Sequence, residues 1–111
     1  MALEEDIDIE TERLSDPAYL RQVLETGSKA IVLVDVRTPG EFDSGHIPGA
    51  RNIPHTEIAG YPPTDDKDAV IVLYCRTGNR SSYAERALRS LGYSEIIDFG
   101  GVVTWPYALE R

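Results

Sequence analysis

Residues 70–82 read Val70-Ile71-Val72-Leu73-Tyr74-Cys75-Arg76-Thr77-Gly78-Asn79-Arg80-Ser81-Ser82, and this stretch decides the fold. Its first five residues form a short, largely β-branched apolar run, which predicts a buried strand. After Ser81-Ser82, the residues Ala84, Ala87, Leu88 and Leu91 fall at the spacing of an amphipathic helix, and Gly92 fits its left-handed terminator. Between strand and helix lies a glycine-bearing, doubly basic loop, Cys75–Arg80. Outward from this unit the alternation repeats. Ala30-Ile31-Val32-Leu33-Val34 is a continuous apolar run ending at Asp35, as expected of a central strand covered on both faces. Before it, Asp16-Pro17 reads as a helix cap and first helical residue, with Leu20, Val23 and Leu24 on one face and Gly27 at the end. Ile96-Ile97 reads as a last short strand, and Gly100-Gly101 opens a turn toward Trp105. Strands alternating with helices in this order predict an α/β fold with an open, mostly parallel sheet flanked by helices on both faces.

The remaining segments carry fewer signals. Thr38-Pro39-Gly40, Ser44-Gly45 and Ile47-Pro48-Gly49 mark loops with at most one helical turn between them. Glu57–Ala59 is expected to form a short helix, and residues 60–68, with Pro62-Pro63 and three aspartates, a surface connection. Residues 1–12 are an acidic lead-in in which Ile7 and Ile9 alternate with charges, the pattern of a short edge strand or a loose tail. A chain of 111 residues is expected to form one domain over 1–111.

Charge and composition narrow the function classes. Nineteen acidic against eleven basic side chains give a net charge of −8, which repels nucleic acid and anionic membrane surfaces, so neither is expected as a partner. No apolar run approaches a membrane span, and the acidic N-terminus lacks the pattern of a secretion signal; a cytoplasmic location is the expectation. One cysteine makes no internal disulfide. No cluster of His, Cys or carboxylates has metal-ligand spacing, and no glycine pair opens a phosphate-binding helix, so neither a metal nor a cofactor is expected.

Cys75 is the candidate nucleophile. A thiol at the mouth of a strand-loop-helix unit faces backbone N–H groups and the positive end of a helix, and both favour thiolate over thiol. Arg76 and Arg80 add local positive charge on an acidic protein, a place to hold a small anion. The same arginines and Gly78 argue for an exposed sulfur rather than a buried one. Asp35 and Cys75 both fall at carboxyl ends of strands, where ligands bind in open α/β sheets.

These residues resemble the rhodanese family over about Val34 to Trp105. The matching pieces are Val34-Asp35-Val36-Arg37, Glu41-Phe42, Gly45-His46-Ile47-Pro48-Gly49-Ala50, Asn52-Ile53-Pro54, the cysteine loop, and Gly100-Gly101 with Trp105. The resemblance implies a sulfurtransferase, in which the Cys75 thiolate takes the outer sulfur of thiosulfate or a persulfide donor and passes it to an acceptor. Cys75 is then the persulfide carrier, and Arg76, Thr77, Gly78, Asn79 and Arg80 bind the small anionic donor. Asp35, Arg37 and Glu41 form a supporting network at the strand end. The resemblance gives His46 an architectural part, and the acceptor is a thiol, cyanide or a protein. A six-residue loop suits sulfur; relatives that act on phosphate or arsenate have one residue more, and Ser81-Ser82 could belong to loop or helix. A cysteine phosphatase or arsenate reductase therefore stays open, as does a non-catalytic rhodanese-like binding module. With no second unit to wall the site, the resemblance implies an open Cys75.

Overall fold

A computed structural model of the protein describes residues 9–27 and 30–111. Four strands, β1 (Ile31–Asp35), β2 (Arg51–Asn52), β3 (Val70–Cys75) and β4 (Ile96–Gly101), form one sheet in the order β2-β1-β3-β4, with every pairing parallel. Helix α1 (Pro17–Gly27) precedes β1, α2 (Pro39–Ser44) links β1 to β2, and α3 (Asn79–Ser90) links β3 to β4.

The strands are apolar on both sides because both sides are covered. Alternation along β1 and β3 sends Ile31, Leu33, Val72 and Tyr74 to one face, where Leu20 and Val23 of α1 meet them. It sends Val34, Ile71, Leu73 and Cys75 to the other, under Ala84 and Leu88 of α3. Trp105 buries all but 8% of its surface in the first layer and meets Phe99 edge to face.

Several segments depart from the sequence expectations. The predicted helix at Glu57–Ala59 is a set of hydrogen-bonded turns, with Gly60 and Tyr61 both donating to the Glu57 carbonyl, although Ile58 is fully buried. The loop region after β1 holds a longer helix than one turn. Thr38 and Glu41 form a reciprocal capping box, with Pro39 at the first helical position, and that is enough to start α2. β2, two residues long, is too short to show a period. Helix α3 starts at Asn79, two residues before the expected point. The first turn of cover comes from a 3-10 helix at Thr11–Ser15, which buries Leu14 completely. Of the acidic lead-in, residues 1–8 lie outside the described residues, and Ile9 packs against the α1-side core. After Trp105 the tail pairs back onto the body: the His46 and Glu110 backbones exchange hydrogen bonds of 2.9 and 2.8 Å.

Candidate active site

Cys75 is the last residue of β3. Two-residue alternation places its side chain on the same face as Ile71 and Leu73, beneath α3, and it retains only 1% exposure. The expectation of an exposed sulfur is therefore corrected. Neighbouring arginines do not set a strand residue's exposure; its parity along the strand does. The open site expected from the absence of a second unit is corrected with it, since α3 covers the sulfur. Exposure lies instead on the loop around it, at Arg76, Thr77 and Asn79.

The surroundings of the sulfur follow from the turn between β3 and α3. Gly78 stands at φ +115, a conformation that side chains oppose, and this lets its N–H fold back to donate to Cys75 Sγ at 2.9 Å. Ser81 sits in the first turn of α3, where side chains tilt toward the helix N-terminus, and its fully buried hydroxyl lies 3.5 Å from Sγ. The same hydroxyl bonds the Gly78 carbonyl at 3.1 Å and the Gly100 carbonyl at 3.4 Å. Burial is the largest single influence on the thiol and pushes its pKa up. The Ser81 hydroxyl and the Ser81, Gly78 and Thr77 amides together outweigh it, so the net shift is downward. The start of α3 adds its dipole in the same direction. Sequence leaves Ser81 as loop or helix; its place beside the sulfur follows only from the start of α3 at Asn79.

The arginines of the loop have different fates. Arg80 faces α2, where its two terminal nitrogens bind the Glu41 carboxylate at 2.7 and 2.9 Å. The Arg80 guanidinium, with the Thr38 amide and hydroxyl assisting, holds the Glu41 carboxyl down to about 2 against burial. Glu41 acts on Arg37 through space, its charge helping to raise the guanidinium pKa, while its hydrogen bonds go to Thr38 and Arg80, so it caps α2 and ties that helix to the cysteine loop. Arg76 is exposed and forms no ion pair among the described residues.

Asp35 and Arg37 form a separate, buried pair. Arg37 Nη2 meets Asp35 Oδ2 at 2.6 Å and Nε lies 3.0 Å from both carboxylate oxygens, while Nη2 also donates to the Gly45 carbonyl at 2.7 Å. Asp35 is opposite Tyr74 in the sheet, and Tyr74 in turn accepts the Ile47 N–H at 3.0 Å. The pair therefore braces the strand ends beside Cys75 without touching the sulfur. His46 stacks on Phe42 at 3.7 Å between ring centroids and bonds the Phe42 carbonyl, which places it in the same bracing and away from the thiol.

Two further observations bear on the chemistry available. Ser81 and Ser82 are helical, in an α3 that starts at Asn79, so neither belongs to the loop after Cys75. A cavity of about 740 Å³ opens elsewhere, between Arg21 and Leu24 of α1, Ile31 at the start of β1, Arg51 and Trp105; no residue of the cysteine loop lines it. Among the described residues no group of His, Cys or carboxylates is placed to hold a metal, and no helix is long and apolar enough to cross a membrane.

Known proteins resemble the chain in sequence and in fold. The Rhodanese-like domain model matches residues 16–106. A Mycobacterium tuberculosis protein designated probable adenylyltransferase/sulfurtransferase MoeZ is 41% identical over 85% of this chain, and the chain spans only 24% of that relative's length. The Bacillus subtilis protein YqhL is 40% identical over 71% of the chain, which spans 64% of it. The thiosulfate sulfurtransferase GlpE of Pseudomonas aeruginosa is 34% identical, with 80% of this chain and 79% of GlpE aligned. Among solved structures, the Alr3790 protein of Anabaena superposes with a TM-score of 0.78 at 27% identity, over 85% of this chain and 79% of that one. The human single-domain sulfurtransferase TSTD1 does so with a TM-score of 0.66 at 30% identity, over 76% and 85%. A parallel sheet of these four strands, a cysteine closing β3 beneath the first turn of α3, and a family match over most of the described residues lead to one conclusion: the chain belongs to the rhodanese-like family.

Proposed function

We propose that the protein is a sulfurtransferase that moves a sulfane sulfur from thiosulfate or a persulfide donor to a thiophilic acceptor through a persulfide on Cys75. The observation that carries this reading is the set of polar groups gathered on one sulfur: the Gly78 N–H donating at 2.9 Å, the Ser81 hydroxyl oxygen at 3.5 Å, and the amides that lower the thiol pKa. The thiolate attacks the outer sulfur of thiosulfate; the new S–S bond forms as the old one breaks, and sulfite leaves with the bonding pair. Cyanide or a thiolate then attacks the terminal sulfur of the persulfide, takes it, and returns Cys75 to the thiolate. Both steps bring anions together, so inward-facing N–H groups matter most where charge accumulates, and losing one such donor typically costs about 3 kcal/mol of barrier.

In this reading Thr77, Gly78 and Asn79 supply the main-chain cradle, and Arg76 supplies the charge that meets the donor. Arg80 acts through Glu41, by fixing the loop, in place of binding the anion directly. A lone cysteine that forms no internal disulfide suits a reducing compartment such as the cytoplasm. Thiosulfate with cyanide is the test: wild type is expected to form thiocyanate, Cys75→Ala to form none, and mass spectrometry to find one added sulfur on Cys75. Equal turnover by Cys75→Ala sinks the reading.

One observation favours a second reading. The 1% exposure of Cys75 suits a rhodanese-like module whose loop serves only as a docking surface. Absence of any sulfur gain on Cys75 after incubation with thiosulfate decides for that module.

A further inference from the structure

Strand β4 carries an irregularity opposite the cysteine. It pairs with β3 in step from Ile71 with Ile96 to Leu73 with Asp98, then skips Phe99, so that Gly100 faces Tyr74 and Gly101 faces Cys75. Asp98 holds this bulge: its Oδ1 accepts the Gly100 N–H at 2.9 Å. Gly100 turns it, at φ +98.

Gly101 is a glycine for another reason. Its backbone is extended, at φ −111 and ψ 136, which any residue adopts. What it lacks is room. A Cβ there would lie 2.4 Å from the Arg76 carbonyl oxygen and 2.9 Å from Thr77 Cα, both main-chain atoms with no side-chain torsion to give way. Without the bulge, Gly100 would stand opposite Cys75, and the next position, facing the loop, would differ. The skipped residue thus sets Gly101 against the peptide that begins the cysteine loop and leaves Gly100 to take the positive φ of the turn. That peptide leads directly into the Thr77 and Gly78 N–H groups, and the Ser81 hydroxyl joins the same corner through the Gly100 carbonyl.

We propose that Gly101 is a positioning residue for sulfur transfer: its bare Cα lets the Arg76–Thr77 peptide settle against β4, and this holds the loop N–H groups on the Cys75 sulfur. The proposal rests on the reading of Cys75 as sulfur carrier. A methyl group at Gly101 lifts the peptide outward, lengthens the Gly78 contact and leaves the sulfur buried with fewer donors.

The experiment compares wild type and Gly101→Ala by the pH dependence of Cys75 alkylation with iodoacetamide and by thiocyanate formation. The alkylation midpoint is expected to move up in pH, and kcat/KM for thiosulfate to fall by about tenfold or more, the scale of a weakened oxyanion donor. An unchanged midpoint overturns the proposal, whatever the turnover, because a merely structural role does not move the titration of the thiol. If Gly101→Ala does not fold, Asp98→Ala replaces it, since it releases the bulge without adding bulk. A smaller upward shift supports the proposal and a wild-type midpoint overturns it. Alkylation needs no sulfur donor, so a wild type that forms no thiocyanate counts against sulfur transfer, while the midpoint still decides whether Gly101 sets the thiol.

Discussion

The residue that decides the chemistry also shows how far single positions can be read. That Cys75 ends a strand was legible from the apolar run before it, and its burial was equally legible from its parity with Ile71 and Leu73, a signal outweighed in the reading by the charges beside it. Ser81 was hidden because its importance depends on where α3 begins, two residues from the expected start. The Glu41–Arg80 contact is not legible, since nothing in the spacing of residues 41 and 80 announces it. The Glu41–Arg80 pair makes a pH prediction. The folded carboxyl titrates at about 2, below its ordinary 4.5, so the folded state binds fewer protons than the unfolded one between these values. The stabilisation from Glu41 is full above the ordinary carboxylate range and is lost as pH falls toward 2. Urea unfolding of wild type and Glu41→Gln is expected to show a stability gap that is widest above pH 5 and narrows steadily toward pH 2. A gap independent of pH refutes the assignment.

Elements were more legible than residues. The strands β1 and β3 and the helices α1 and α3 each bury a stripe or run, and burial is what leaves a periodic trace in sequence, whereas β4 is only intermittently buried and runs on through Gly100-Gly101, which read as a turn. The short pieces left none: β2 has two residues, and the turns around Ile58 bury one side chain without a period. Helix α2 was underestimated although its Thr38-Pro39-Gly40-Glu41 start carries a capping signal. Helix α3 has the largest part at this scale, because it covers one face of the sheet and also presents Ser81 to the sulfur. Leu88, fully buried against Ile71 and Leu73, anchors it. Leu88→Ala is expected to lower stability by about 2–5 kcal/mol, with the midpoint of denaturant unfolding shifted and its slope unchanged. A loss under about 1 kcal/mol means the helix is anchored elsewhere.

At the scale of the molecule, an acidic protein carries one exposed guanidinium, that of Arg76, on its cysteine loop. The net charge is −8. The screening length is about 30 Å at 0.01 M salt and about 8 Å at 0.15 M. Raising salt across this range removes most of the distant repulsion and little of a contact with Arg76. The KM for thiosulfate is therefore expected to fall as salt rises to about 0.15 M, opposite to the trend of a site steered by long-range attraction. Arg76→Ala is expected to raise KM at every salt concentration; steady-state kinetics on both proteins checks each trend. The overall α/β layering was readable because both sheet faces are apolar, whereas the strand order and the bulge in β4 depend on pairings between distant segments that composition does not encode.

The strand order has a consequence for biosynthesis. β1 lies between β2 and β3, yet β3 and β4 leave the ribosome only after the whole of α2, β2 and residues 60–68. Until then only Val34 and Asp35 of β1 have a sheet partner, in the two-residue β2, while Ile31 and Leu33 wait for β3, and the nascent chain displays a sticky, half-enclosed ribbon. That interval is where chaperone capture competes with self-association during translation.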